Sequence, residues 1–418
     1  MKKLLLLLFL GFTLVGFSQT TVITDANFEQ ALIDLGIDTA PIDGSVPTAN
    51  ISSITSLEVY NNNITELTGI EDFTALTFLE CGDNPLTSLD VSNNTALEYL
   101  YCYSNQLTSL DVSNNTALEY LYCYDNQLTS LDVSNNTALT NLNCRSNQLT
   151  SLDVSNNTAL ITLYCYSNQL TSLDVSQNIA LTDLRCQQNQ LSSLDISDNN
   201  ALTNLDCYNN LLTSLNVSGT IGGGNALSFL RCDNNLLTSL NVFDNANLTQ
   251  LICNNNQLTG SLNLSNNFFL TQLQCQVNKI EILNIKNGNN DNVTLFNALN
   301  NPDLYCIVVD DISYSTTNWT NIDPASTFVN NETDCDALSL VDNNFELEVT
   351  IYPNPTDNYL FIEGNVNPVS IIIYNLLGAK VIAKSNTDKI DVSELSKGVY
   401  IINISDGVSQ TNKKFVKN

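Results

Sequence analysis

Tyrosine and arginine are concentrated around a cysteine that returns at a fixed spacing. Seven cysteines from Cys81 to Cys207 are 21 residues apart, and Cys232, Cys253 and Cys275 continue the series. Nine of the sixteen tyrosines and all three arginines lie within three residues of one of these ten cysteines. Both types bury a large area and still form hydrogen bonds, so they are enriched at binding hot spots. The candidate ligand-binding residues are Tyr99, Tyr101, Tyr103, Tyr120, Tyr122, Tyr124, Arg145, Tyr164, Tyr166, Arg185, Tyr208 and Arg231.

The cysteines themselves could form disulfides, bind a metal or pack in a core. On neighbouring parallel strands the Cβ vectors of the ten regular cysteines are parallel, which is poor geometry for a disulfide, so we expect a buried column of free thiols. The chain has no histidine and no CxxC pair, so we predict no metal site. Cys306 and Cys335 lie outside the series and are predicted to form a disulfide, with two buried free thiols as the alternative.

Aspartate forms a second regular series. Asp90, Asp111, Asp132, Asp153, Asp174 and Asp195 recur once per period, and Asn216, Asn241 and Asn263 continue the series. Carboxylate oxygens suit calcium, but the change to asparagine fits hydrogen bonding equally well. We therefore predict neither a metal nor a cofactor here.

Several classes of function lack the residues they need. There is no histidine for acid–base chemistry, no glycine-rich phosphate loop and no GxSxG motif, so we do not expect an enzyme. A net charge of −29 argues against nucleic-acid binding, which needs clustered lysine and arginine.

A repeated element must position these side chains. The shared pattern is LxxLxCxxNxLxxLxVSxNxx, with two short alternating segments per period, YLYCY and SLDVS in the period of Leu97. One such coil cannot bury its leucines alone, but stacked coils form a continuous core. We count eleven coils over residues 54–300, with leucine and cysteine inward, Asn105 and its equivalents bonding backbone groups, and the candidate residues on one outward sheet face. The predicted fold is mostly β.

The ends of the chain differ from the repeats. MKKLLLLLFLGFTLVGFS, residues 1–18, has the features of a secretory signal peptide, and no later stretch is apolar enough to span a membrane. Residues 19–53 are predicted to cap the first coil with a short amphipathic helix, and residues 301–335 to cap the last. Residues 336–346 form a predicted linker, and residues 347–418, with short alternating strands, a small β-sandwich.

The repeat resembles the leucine-rich repeat in its short 21-residue class, and the cysteine variant found in internalin-type bacterial surface proteins. The resemblance covers residues 51 to about 300, where ten cysteines keep register. It implies a solenoid that binds a partner through its continuous sheet.

The C-terminal segment resembles the sorting domain of type IX secretion substrates. The matching motifs are YPNP at Tyr352, NLLG at Asn375, KGVY at Lys397 and the basic end KKFVK at Lys413. This resemblance implies that the type IX machinery recognises residues 347–418 and exports the chain across the outer membrane, to the cell surface or the medium.

Two functions stay open at this stage. The first is a recognition or adhesion module that binds an extracellular protein or glycan through the tyrosine-rich face. The second is a structural spacer or coat component without a specific ligand, in which stacked tyrosines only stabilise the sheet and the arginines only pair with nearby aspartates.

Overall fold

The computed structural model describes residues 19–218, 227–339, 349–364, 370–406 and 410–418. The chain divides into two compact units, Met1–Glu332 and Thr333–Asn418. The predicted signal peptide lies outside the described residues. So do residues 340–346 of the predicted linker, whose first residues belong to a helix.

The N-terminal cap contains the predicted helix. Its elements are β1 (Thr20–Val22), α1 (Ala26–Asp34), β2 (Ser45–Pro47) and α2 (Thr48–Ile51), with β1 and β2 antiparallel. Asp25 starts α1, because its carboxylate accepts the N–H groups of Asn27 and Phe28 at 2.8 and 3.0 Å. Phe28 and Leu32 are fully buried in the core that continues into the coils. The helix therefore closes the first coil.

Twelve parallel strands form the main sheet of the solenoid. Each strand places one apolar residue inward between two outward residues, because successive side chains alternate between faces, and in eleven of the twelve strands this residue is leucine. In chain order they are β3 (Ser56–Glu58), β4 (Phe78–Glu80), β5 (Tyr99–Tyr101), β6 (Tyr120–Tyr122), β7 (Asn141–Asn143), β8 (Thr162–Tyr164), β9 (Asp183–Arg185), β11 (Asn204–Asp206), β13 (Phe229–Arg231), β14 (Gln250–Ile252), β16 (Gln272–Gln274) and β18 (Leu295–Asn297).

The solenoid continues beyond the eleven predicted coils. Strand β18 belongs to a twelfth coil, in which Phe296 takes the leucine position and Ala298 the cysteine position. An alignment on cysteine misses this coil because Ala298 fills the same space without a thiol. The coil continues through buried Leu304 and Ile307, so the first part of the predicted closing cap is still repeat.

The second half of each coil is less regular than predicted. Two sheets form there among the described residues: β10 (Ser193–Asp195) with β12 (Ser214–Asn216), and β15 (Thr259–Asn263), β17 (Lys279–Asn284), β19 (Cys306–Val308) and β20 (Thr327–Val329). In the earlier coils the aspartate side chain accepts a hydrogen bond from a backbone N–H. Asp111, for example, accepts the N–H of Ser113 at 2.9 Å. The same local hydrogen bond forms at the end of β10, from Ser197 to Asp195 at 2.9 Å, so it accompanies the turn whether or not a strand forms.

The last coil is covered by aromatic side chains. After it come α3 (Ile312–Asn318) and α4 (Glu332–Ser339), and short 3₁₀ turns lie at Ile70–Asp72 and Asn290–Asn292. Trp319, at the end of α3, stacks on Phe296 with ring centres 4.3 Å apart and is almost fully buried. The core of the solenoid is therefore closed by a cap at this end too.

Leucine, cysteine and asparagine fill the interior of the coils in separate columns. Leu100 and Cys102 are fully buried, as predicted for every coil. Asn126 also acts as predicted: its Nδ2 donates to the carbonyls of Cys102 and Cys123 at 3.0 and 3.2 Å, and its Oδ1 accepts the Leu107 N–H at 3.0 Å. Each such asparagine joins two consecutive coils, so it satisfies polar groups that stacking alone would leave buried and unpaired.

A second asparagine column was not identified from the sequence. Asn115 is fully buried, and its Nδ2 donates to the carbonyls of Val91 and Asn94, both at 2.9 Å. Its neighbour Asn114 is exposed. The NNT turn therefore contributes one structural asparagine and one surface asparagine per coil.

After each strand of the main sheet comes one residue whose backbone has a positive φ, in the left-handed region. In one coil this residue is Val277, which is β-branched. Asn255 and Asn300, one coil away on either side, have φ of 52° and 58°, and Val277 has 58°. Asparagine tolerates this region, whereas a β-branched side chain is strained there. We predict that Val277→Asn raises the free energy of unfolding by about 1 kcal/mol, measured by chemical denaturation. The reverse change, Asn255→Val, should lower it; equal midpoints for all three proteins would contradict this.

The C-terminal unit has the predicted two-sheet form. One antiparallel sheet contains β21 (Val349–Tyr352), β22 (Tyr359–Gly364) and β25 (Lys389–Asp391). The other contains β23 (Ser370–Asn375), β24 (Lys380–Lys384), β26 (Gly398–Ser405) and β27 (Gln410–Lys417). Leu360, Ile373, Ile402 and Phe415 are fully buried in its separate core. Among the helices of the described ranges, none is long and apolar enough to cross a membrane.

Candidate functional site

The candidate residues lie on the outward face of the main sheet in three columns that run across the coils. Strand register places Tyr99 beside Tyr120, and Tyr101 beside Tyr122. The third column holds the residues that directly follow each cysteine, such as Tyr103. We call residues 78–233 of these three columns the tyrosine–arginine face.

Tyrosines of neighbouring coils stack on one another. Ring centres of the pairs Tyr99–Tyr120, Tyr101–Tyr122 and Tyr103–Tyr124 are 4.8, 4.6 and 4.8 Å apart, with interplanar angles of 18°, 10° and 4°. This spacing equals the separation of adjacent strands, so the sheet itself fixes the rings. Because each ring covers its neighbour, a ligand on this face would meet mainly ring edges and hydroxyl groups.

Burial makes two of the hydroxyl groups on this face less acidic. It raises the pKa of Tyr101 to about 12. Burial, with a hydrogen bond donated to Asp183 at 2.7 Å, likewise raises the pKa of Tyr164 to about 12. Both groups are therefore neutral phenols at physiological pH, and a phenol can donate and accept a hydrogen bond.

Arg145 continues the third column between two tyrosines. Its guanidinium carbon lies 4.1 Å from the ring centre of Tyr124 and 5.5 Å from that of Tyr166. Its Nη1 donates to the Tyr166 hydroxyl at 2.7 Å, and Asp125 is 3.9 Å away. These contacts hold the planar group against the face before any ligand arrives.

The other two arginines are paired with acids and stacked on tyrosines. Arg185 bonds Asp183 at 3.1 Å and lies 4.6 Å from the ring centre of Tyr164. Arg231 bonds Asp233 at 2.8 Å and lies 3.8 Å from the ring centre of Tyr208. From the sequence, either arginine could pair with an aspartate of its own coil or with Asp206 of the coil between them. In the structure each arginine pairs with the aspartate two residues away in its own coil.

Asp206 lies between these two arginines in the second column. Strand β11 pairs with β9 and β13, so Asp206 is beside both Arg185 and Arg231. Burial raises the pKa of this carboxyl group, and the two guanidinium groups partly offset that effect. Its Oδ1 is buried and accepts no hydrogen bond within the described part of the chain. The same holds for Oε1 of Gln187, whose side chain is 6% exposed.

The ten regular cysteines are free and buried, as predicted. Burial raises the pKa of Cys81, Cys144 and Cys186 to about 12, so these thiols are unreactive packing groups rather than nucleophiles. Cys306 and Cys335 are disulfide-bonded.

The aspartate column lies away from this face and is occupied in hydrogen bonds. Bonds from Ser113 and Ser134 lower the pKa values of Asp111 and Asp132. Within the described ranges, no group of three or more carboxylate or thiol side chains is arranged to hold a metal ion.

Sequence reasoning missed three residues of the face. Glu80 accepts a hydrogen bond from the Tyr103 hydroxyl at 2.8 Å. Gly82 gives space to that ring, since a Cβ at this position would lie 2.6 Å from it. Gln187 is the third. All three occupy the same outward columns, so examining every outward position, and not only tyrosine and arginine, would have found them.

Comparisons with known proteins agree with this architecture. Residues 350–418 match the family described as a secretion system C-terminal sorting domain, and residues 95–136 match that of two leucine-rich repeats. No curated protein matches the chain.

Two solved structures with a similar fold come from Listeria monocytogenes. The functional domain of InlJ from Listeria monocytogenes, which includes a cysteine ladder, is 29% identical with a TM-score of 0.63; the match covers 96% of this chain and 99% of that one. InlF, an internalin of the same organism, is 21% identical with a TM-score of 0.53, over 74% of this chain and 97% of that one, and shows the fold alone. The chain therefore contains leucine-rich repeats, is similar to the cysteine-ladder domain of InlJ, and carries a type IX sorting domain for export across the outer membrane to the cell surface or medium.

Proposed function

We propose that this protein is a non-enzymatic recognition or adhesion module that binds an extracellular protein or glycan through the tyrosine–arginine face. The observation that carries the proposal is the preassembly of this face. Rings of neighbouring coils stack at 4.6–4.8 Å, and all three guanidinium groups lie against tyrosine rings. Side chains held in this way lose little conformational entropy when a ligand binds.

The spacer hypothesis explains the stacking but not the polar groups. Cross-strand stacking stabilises a sheet whether or not a ligand binds, at about 0.5–1.5 kcal/mol per aromatic pair. Unpaired buried acceptors do not decide between the two functions, because the core asparagine column has them as well as Asp206 and Gln187. The feature that favours recognition is the placement of all three arginines against tyrosine rings on this one face.

The test is to screen the whole protein against arrays of extracellular proteins and glycans. We expect specific binding that the combined change Tyr101→Ser, Tyr122→Ser and Tyr164→Ser abolishes. These residues are half-buried on the outward face, so the leucine and cysteine core stays intact, and the circular dichroism spectrum should be unchanged. A wild-type protein that binds nothing on either array would support the spacer instead, and binding that survives the triple change would place the site elsewhere.

A further inference from the structure

We propose that the turn formed by Leu376 and Leu377, with the sheet face beside it, is the surface through which the type IX export machinery recognises this protein. The turn joins β23 to β24 in the C-terminal unit. We call the two leucines, with the outward residues Ile372, Tyr374 and Ile401 of the same sheet, the export surface.

The two leucines of the turn are exposed to solvent. Leu376 is 68% exposed and Leu377 is 93% exposed. Among the described residues, neither belongs to the core of the C-terminal unit. A single exposed leucine is ordinary, but two adjacent ones that continue into further apolar surface are typical of a site that a partner covers.

Asn375 holds the turn in one conformation. Its Oδ1 accepts the N–H groups of Leu377 and Ala379, both at 3.0 Å, and its backbone carbonyl accepts the Gly378 N–H at 2.9 Å. Gly378 has a φ of 78°, which only glycine adopts without strain. These contacts explain the asparagine and the glycine of the NLLG motif, but not its two leucines. Because the turn is already ordered, the leucines lose little conformational entropy when a partner buries them.

The sheet that carries the turn is apolar on both faces. Ile371 and Ile373 of β23 are fully buried, so alternation places Ile372 and Tyr374 on the outward face, where both are half-buried. Ile401 of β26 pairs with Tyr374 and is exposed. Strands with apolar residues on both faces are typical of sheets that are covered on both sides. The outward face therefore has the composition of a surface that is buried in a complex.

The same sheet is basic, although the chain has a net charge of −29. Its four strands contain no aspartate or glutamate and five lysines: Lys380, Lys384, Lys413, Lys414 and Lys417. Lys380 follows the turn closely, and Lys414 pairs with Ile401. A complementary partner surface is therefore apolar and bordered by carboxylates.

A protein of the export machinery is the occupant that these features favour. Residues 350–418, which include the whole sheet, match a secretion system C-terminal sorting domain. Export of the chain requires that the machinery contacts this unit, and the export surface combines exposed leucines, an apolar face and a charge opposite to that of the rest of the protein. The acidic solenoid of the same chain and a second copy of the chain are the competing occupants.

The test measures export of the full chain from a strain with an active type IX system, by immunoblots of fractionated cells. The double change Leu376→Ser and Leu377→Ser should lower the exported fraction at least about tenfold, because a leucine buried in a contact contributes about that factor to affinity. The variant should accumulate in the periplasm. After purification it should unfold at the wild-type temperature, since neither leucine is in the core.

Two matched variants separate loss of the contact from general damage. Leu376→Met with Leu377→Met keeps the apolar area and should recover most of the export. Phe268→Ser with Phe269→Ser removes two exposed apolar side chains from the solenoid and should be exported like the wild type. Wild-type export of the serine variant of the turn would overturn the inference, and so would an equal loss of export in the phenylalanine variant.

The competing occupants give different results. Residues 349–418 have a core of their own, so they can be fused to an unrelated periplasmic reporter, and the two serine changes should block export of this fusion too. A serine fusion that is exported while the full-length serine variant is retained would assign the surface to the solenoid. A wild-type dimer in light scattering that the serine changes dissociate without loss of export would assign it to a second copy. Either result overturns the inference and leaves the sorting role of residues 349–418 in place.

Discussion

Replacing Asn126 by alanine is expected to lower the free energy of unfolding by about 3 kcal/mol, because buried backbone groups lose their partners. The side chain of Asn126 accepts the Leu107 N–H and donates to the carbonyls of Cys102 and Cys123. Alanine provides neither a donor nor an acceptor, so the Leu107 N–H and the carbonyls in both coils lose this partner. Chemical denaturation followed by circular dichroism measures the change.

Asn135, in the second half of the same coil, provides the matched control. It is exposed, and its Nδ2 donates to the Ser113 carbonyl at 3.2 Å. Asn135→Ala should therefore cost less than about 0.5 kcal/mol, as surface changes usually do. Hydrogen exchange would show the Asn126→Ala effect as faster exchange of the Leu107 amide. Equal stability of the two variants would mean that the buried asparagine column is not structural.

Deleting residues 349–418 is expected to abolish export across the outer membrane. The deletion removes both sheets of the C-terminal unit, whose match to a secretion sorting domain spans residues 350–418. The solenoid has its own closed core, so it should still fold. In a strain with an active type IX system, immunoblots of fractionated cells should show the truncated chain in the periplasm and the full chain outside.

A fusion provides the complementary control. Residues 349–418 attached to an unrelated periplasmic reporter should carry it outside the same cells, and a strain without type IX secretion should retain both the fusion and the full chain. Appearance of the truncated chain in the medium would contradict the role given to the C-terminal unit.

The regular parts of the fold follow from spacing alone. Leu100 and Cys102 are predictable core residues because identical types return every coil, and a single coil cannot bury them. Phe296 and Ala298 fill the same positions in the twelfth coil with different types, so only packing reveals them. Asn114 and Asn115 are adjacent and identical in type, and only the structure distinguishes the exposed one from the buried one.

The candidate face was predictable in position but not in pairing. Alternation along the strands puts Tyr101, Tyr122 and Arg185 on one side, whatever their contacts. Whether Arg185 bonds Asp183 or Asp206 depends on side-chain rotamers, which the sequence pattern does not specify. The same limit hides the unpaired oxygens of Asp206 and Gln187, because a missing donor is a property of the three-dimensional neighbourhood.

The most direct measurement of the central claim compares two separate surfaces of the solenoid with one immobilised ligand from the array screen. The front variant carries Tyr101→Ser, Tyr122→Ser and Tyr164→Ser; the back variant carries Asp111→Asn, Asp132→Asn and Asp153→Asn, which alter the exposed aspartate column. Surface plasmon resonance should show no binding by the front variant and wild-type affinity for the back variant. Binding lost in the back variant and kept in the front variant would contradict the claim that the tyrosine–arginine face is the recognition surface.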